Sequence, residues 1–143
     1  MGTRSTIALE YADGTVDQIY CHWDGYLEHN GAILAEHYMD PFKVQKLMQQ
    51  GDMSSLDKEI GTQHSFNDKA PEGECTFYKR DRSEEGCEAN RFKDFNDYKA
   101  NHQYEEYEYI LRNVDGKATW FVAEHSNRYV PLAEAFKAEK EAA

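Results

Sequence analysis

Ile7, Leu9 and Tyr11 alternate with Ala8 and Glu10 near the start of the chain, the period-two pattern of a strand. Asp13-Gly14 follows, a pair suited to the positive φ angles of a two-residue hairpin turn, and a second strand is predicted from Val16 to Trp23. In a strict two-residue register Tyr11 opposes Val16 and Ile7 opposes Tyr20, while Ala8 faces Ile19 on the other side. Both faces are then partly apolar, which places one of these strands inside the sheet or requires a bulge.

After the break at Asp24-Gly25 the period changes. Leu27, Gly31, Leu34 and Tyr38 recur at helical spacing. Asp40 is placed to cap a second helix with Pro41 in its first turn, Val44, Leu47 and Met48 on its inner face, and Gly51 ending it. Residues 61–74 are polar and read as an exposed loop. Cys75 to Arg80 is a short strand candidate, and Asp94 is expected to cap a brief helix toward His102. Tyr107 to Arg112 and Lys117 to Glu124 form a second hairpin around Asp115-Gly116, with Leu111 opposite Trp120 and Ile110 opposite Phe121. Pro131 opens a terminal helix, with an end at 137–143 expected to fray. The expected fold is a single α+β domain over 1–143: an antiparallel sheet of two β-hairpins plus a short strand, carrying three to four helices.

Composition narrows the function classes. The chain has 143 residues, enough for one hydrophobic core, and ten Tyr, seven Phe and two Trp supply much of its apolar surface. Against 16 basic residues stand 27 acidic ones, a net charge of -11. That sign opposes direct binding to nucleic acid or to an anionic membrane and suits a partner with a basic surface. The first apolar stretch, Ile7 to Leu9, is too short for a signal peptide or a membrane span, so a cytoplasmic location is expected. Cys21, Cys75 and Cys87 form no Cys-x-x-Cys pair, and no metal or cofactor is called for.

Three groups could carry chemistry. Tyr20 to Tyr26 is the densest, with His22, Trp23, Asp24 and Tyr26 at a strand end. Cys21 and His22 are neighbours and point to opposite faces, so they make a poor nucleophilic pair. Trp23 and Tyr26 read as core or groove walls and Asp24 as a cap. In the second group, Tyr104 through Tyr109, the strand alternation sets Tyr107 and Tyr109 on one face and Glu106 and Glu108 on the other, an aromatic and an anionic surface. In the third, Arg80 and Arg82 would project together from an extended segment as an anion site, weighed against internal salt bridges to Asp81, Glu84 or Glu85. Nucleotide-binding and hydrolase motifs are absent, so the chain is read as a non-enzyme.

Several strings together resemble a group of small, largely uncharacterised acidic proteins of tailed phages and prophages. They are Thr3 to Ala8, Ile19 to Tyr26, Phe77-Tyr78 with Arg80-Asp81-Arg82, and Tyr104 to Leu111. The sequence departs at Lys79, where Gly is expected, and at Ser83-Glu84-Glu85, where a Gly-Glu-Thr run is expected, which counts against a backbone anion cradle there. The resemblance implies a host-cell cytoplasmic setting and inhibition of a host defence or nucleic-acid-handling protein by imitating nucleic-acid charge. The contact residues expected are Tyr104, Glu105, Glu106 and Glu108, then Trp23, Asp24 and Tyr26. The rival expectation is a small enzyme or ligand-binding protein with a pocket joining His22, Asp24, Arg80 and Arg82.

Overall fold

The computed structural model describes residues 3–66, 72–102 and 104–142. Among them, eight strands form one mixed sheet: β1 (Ser5–Glu10), β2 (Val16–Cys21), β3 (Met53–Ser55), β4 (Thr76–Phe77), β5 (Asn90–Phe92), β6 (Tyr107–Val114), β7 (Lys117–Glu124) and β8 (Val130–Pro131). The order is β4-β3-β2-β1-β6-β7-β8, with β5 also paired to β2. Five α-helices accompany it: α1 (Ala32–His37), α2 (Pro41–Gln50), α3 (Tyr78–Arg82), α4 (Phe95–Asn101) and α5 (Leu132–Ala142), with a π-helical turn at Leu27–Gly31 leading into α1.

This corrects the expected antiparallel sheet of two hairpins with three to four helices. Both hairpins form, but they join through β1 and β6, which run parallel, and β2 and β3 also pair in parallel. The reason lies in two apolar runs without alternation. Ile7, Ala8 and Leu9, and Tyr109, Ile110 and Leu111, are all buried, so these strands are covered on both faces and take the centre of the sheet.

The first hairpin also differs in register. Gly14 has φ +92° but Asp13 is not in the left-handed region, so Ala12-Asp13-Gly14 makes a three-residue loop, closed by the Tyr11 N–H on the Thr15 carbonyl. Asp13 stabilises it by accepting from both the N–H and the hydroxyl of Thr15. Ile7 therefore opposes Ile19 and Glu10 opposes Val16, and both faces stay partly apolar because both are covered. In the second hairpin Asp115 and Gly116 both have positive φ, and the predicted pairs Leu111 with Trp120 and Ile110 with Phe121 are present.

Helix α2 forms as its sequence dictates: the Asp40 carboxylate accepts the Phe42 N–H, Val44, Leu47 and Met48 are buried, and Gly51 ends it at φ +82°. The Asp94 cap of α4 is also present. The helical stripe from Leu27 to Tyr38 divides into the π turn and α1, with Leu27, Leu34 and Tyr38 buried. The strand expected over Cys75 to Arg80 shrinks to β4. The buried Asp81 carboxylate takes the Phe77 N–H and so starts α3 at Tyr78, and Ser83, at φ +56°, stops it. Of the loop expected at 61–74, residues 67–71 lie outside the described residues, and 61–63 are exposed. The last helix runs to Ala142, through most of the 137–143 end.

Alternation divides the sheet into two faces. One carries Ile7, Leu9, Ile19, Cys21, Tyr109, Leu111, Trp120 and Val122, packed with Leu34, Tyr38, Val44, Leu47 and Leu132 from the helical layer. The other carries Ala8, Val16 and Ile110 under Phe92, Phe95 and Tyr98 from β5 and α4, with Phe121 and Tyr129 beside them. No helix among the described residues is long and apolar enough to cross a membrane.

One group in this frame titrates off its usual range. Burial, together with the nearby charges of Glu88 and Glu84, pushes the Asp52 carboxyl up from 3.8 to about 6, against the opposing hydrogen bond from the Tyr20 N–H. A raised folded value means that the folded state holds the proton more firmly. This contribution to stability is full below the unfolded value and lost as pH rises through about 6. Asp52→Asn should therefore gain stability over the parent between pH 5 and pH 7, read as a rising difference in their urea midpoints. A constant difference over that interval would remove Asp52 as the cause.

Candidate functional site

The parallel seam decides where the chemistry-bearing segments meet. Ser5 at the start of β1 lies between Cys21 at the end of β2 and Tyr107 at the start of β6, and Tyr107 pairs with Glu124 at the end of β7. Segments 20–26 and 104–108, some eighty residues apart in sequence, thus arrive at the same edge of the sheet.

Buried polar groups fix the first segment. Asn30, fully buried in the π turn, donates to the Ser5 hydroxyl, the Cys21 sulfur and the Trp23 carbonyl, and its amide oxygen meets His29 Nδ1 at 2.9 Å. The Tyr109 hydroxyl donates to the Gly25 carbonyl at 2.6 Å. Gly25 sits so close to Ser5 that a Cβ there would lie 2.6 Å from Ser5 Cβ. Asp24 has φ +56°, and its backbone carbonyl rather than its side chain receives the Asn30 N–H, so the side chain is not the helix cap that the sequence suggested. Trp23 is 43 % exposed and stands edge-on to His22 instead of entering the core. The Cys21 thiol is pushed up to about 12 by burial, while His22 turns the other way and meets the Tyr20 hydroxyl at 2.7 Å.

In the second segment the expected contact residues separate. Tyr104 is 53 % exposed, its hydroxyl held by the Lys99 carbonyl. With Glu105, Glu106, His125, Ser126 and Asn127 it lines an open cleft of about 520 Å³. Burial, then the carboxylates of Glu124, Glu28, Glu139 and Glu106, hold the Tyr107 phenol above its ordinary value. Glu28 and Glu139 share a hydrogen bond that lowers the first and raises the second. The rim of this edge is therefore strongly acidic.

Glu108 is no part of that rim. It is fully buried beneath α4, where its Oε2 meets His102 Nε2 at 2.5 Å. His102 Nδ1 faces the Tyr98 carbonyl, which can only accept, so that nitrogen carries a proton. The Tyr129 hydroxyl lies 3.2 Å from that of Tyr98 and 3.4 Å from Glu108 Oε1, and burial holds both phenols above their ordinary range. The Tyr104 ring covers His102 from the solvent side, at 4.3 Å between centroids. The anionic strand face read from Glu106 and Glu108 is thus corrected. The period-two rule placed Glu108 beside Ile110 and Ala8, and that face is itself core.

The cationic group takes the internal-pairing arrangement. Arg80 turns inward to Asp81 and to the Ile60 and Cys75 carbonyls, with its guanidinium over the Phe77 ring. Burial alone would raise Asp81, but hydrogen bonds from Arg80 and from the Phe77 and His64 backbones outweigh it and hold the carboxyl low. Arg82 points outward to Glu84 at 3.2 Å. Because α3 replaces the extended segment, the two guanidinium groups do not project together.

The fold and this edge define a small α+β domain with an acidic, aromatic-rimmed margin on a mixed sheet. No protein-family model, curated protein or solved structure matches the chain.

Proposed function

We propose that the protein is a non-enzymatic binding module whose acidic edge grips a basic surface on a partner protein. The observation that carries this reading is the convergence of two distant segments on one margin. Trp23 and Tyr104 are exposed on those segments; Glu105 and Glu106 share the Tyr104 cleft, and Glu28, Glu106, Glu124 and Glu139 surround the Tyr107 phenol. Exposed aromatics supply interface energy, and carboxylates around them supply orientation and association rate. The resemblance to small phage proteins extends the reading to a host defence or nucleic-acid-handling protein, met in the host cytoplasm at the surface it uses for phosphates.

The test starts by capturing the partner from host lysate and ends on defined variants of the full chain. Charge reversal at Glu105 and Glu106, both half-buried, should leave the fold intact, since partly solvated charges contribute about 0 to 1 kcal/mol each, and weaken binding at least about tenfold, mostly through a slower on-rate. Duplex DNA should compete with the protein for the partner. Trp23→Ala should lose binding while costing less than about 1 kcal/mol in stability, because the ring is not in the core. If the reversed variant binds as tightly as the parent at low and high salt, the acidic edge is not the contact surface.

A further inference from the structure

We infer that the crevice between the C-terminal ends of β1 and β6 binds a small, uncharged aromatic molecule. This crevice lies at the end of the sheet opposite the acidic edge and follows from the topology. After β1 the chain turns to β2 on one side, and after β6 it turns to β7 on the other, so the two hairpin turns leave in opposite directions. Between parallel neighbours whose connections diverge in this way, the sheet leaves a gap at the carboxyl ends of the strands, which is where open sheets of α/β proteins take their ligands.

The gap has a volume of about 270 Å³, walled by Leu9, Leu111 and Ala118 from the strands, by Ala12 from the first hairpin loop and by Pro41 and Phe42 from the first turn of α2. That lies just below the usual range for drug-sized ligands, about 300 to 1,000 Å³, and suits one or two fused rings. Phe42 is the most exposed large apolar side chain described, at 75 %. Helix α2 does not need it for packing, because Val44, Leu47 and Met48 form its buried face. The Asp40 cap takes the Phe42 N–H at 2.9 Å and so fixes the backbone that carries this ring at the mouth of the crevice, where the ring can turn to stack on a planar guest.

The charged groups at the lining are already satisfied. Arg112 makes two hydrogen bonds to Glu10, both 3.2 Å, and its guanidinium lies over Phe95, 3.7 Å from the ring centroid. The Tyr11 hydroxyl donates to Asp17, which Arg91 also holds. A charged guest would lose water without gaining a counter-ion, whereas a neutral ring with one hydrogen-bonding group can use the amides of Gln45 or Asn113 at the margin.

Indole is the probe, added to the isotope-labelled full chain and followed by amide and methyl NMR shifts, with indole-3-acetate and tryptamine as anionic and cationic controls. Saturable shifts confined to Ala12, Phe42, Gln45, Asn113 and Ala118 are expected, with Kd below about 1 mM. Both charged analogues should bind at least about fivefold more weakly. Ala118→Phe, which fills the crevice, should abolish the shifts, and Phe42→Ala, a surface change, should raise Kd at least about threefold. Absence of saturation, shifts that persist in a folded Ala118→Phe chain, or equal affinity for either charged analogue would each overturn the inference. Should Ala118→Phe fail to fold, an unchanged Kd in Phe42→Ala overturns it instead.

Discussion

Replacing Glu108 by Ala should destabilise the protein by about 3 kcal/mol or more, a large share of the 5 to 15 kcal/mol available to a domain of this size. The carboxylate is the partner of a fully buried imidazole, and both side chains are sealed between the sheet and α4. Removing it leaves His102 Nε2 only the long contact to the Tyr129 hydroxyl, 3.4 Å, and that hydroxyl loses one of its own neighbours. Breaking one side of a buried pair costs far more than the pair contributes when intact, because the remaining group is desolvated without compensation. Glu108→Gln keeps the shape and one acceptor oxygen and should cost clearly less. Urea unfolding of the two variants beside a Glu105→Ala, Glu106→Ala double variant checks this. The double variant should stay within about 1 kcal/mol of the parent, and a Glu108→Ala midpoint equal to its midpoint would show that Glu108 behaves as a surface group.

Gly51→Ala is the second severe change. Gly51 ends α2 at φ +82° and ψ -158°, a region essentially confined to glycine, where an L side chain is strained by about 1 to 3 kcal/mol. A Cβ at this position would also lie 2.2 Å from the Cys87 carbonyl oxygen, and that same oxygen accepts the Asp52 N–H at 2.7 Å. Relieving the clash means moving the backbone at Cys87 and losing the bond, so the total should reach about 3 kcal/mol. Gly14→Ala offers a control, since φ is +92° there but nothing lies within 4 Å of the added methyl group. It should cost about 1 to 2 kcal/mol, and equal losses in the two variants would remove the steric part of the explanation.

Local chemistry was legible in the sequence at several places where a residue's partners are its chain neighbours. Asp40, Pro41 and Gly51 delimit α2 and Asp94 caps α4, because caps and stops act over three or four residues. Asp115-Gly116 specifies its turn and hence the register of β6 on β7, since both residues accept positive φ. The similar pair Asp13-Gly14 did not, because only Gly14 took that conformation and the loop grew by one residue. Which turn forms is settled by how the faces of β1 and β2 must match once both are buried.

Tertiary structure alone decided the rest. No neighbour relation within the chain brings β1 beside β6, and a parallel pairing carries no turn signal of its own. Its only trace is the loss of alternation at Ile7 to Leu9 and Tyr109 to Leu111, the mark of strands covered on both faces. That pairing turned Glu108 from an expected contact into a buried partner of His102, left Trp23 in solvent, and brought the Tyr20 to Tyr26 and Tyr104 to Glu106 segments to one edge. Period two says which side chains share a face, and only the packing of α4 says whether that face meets water or core.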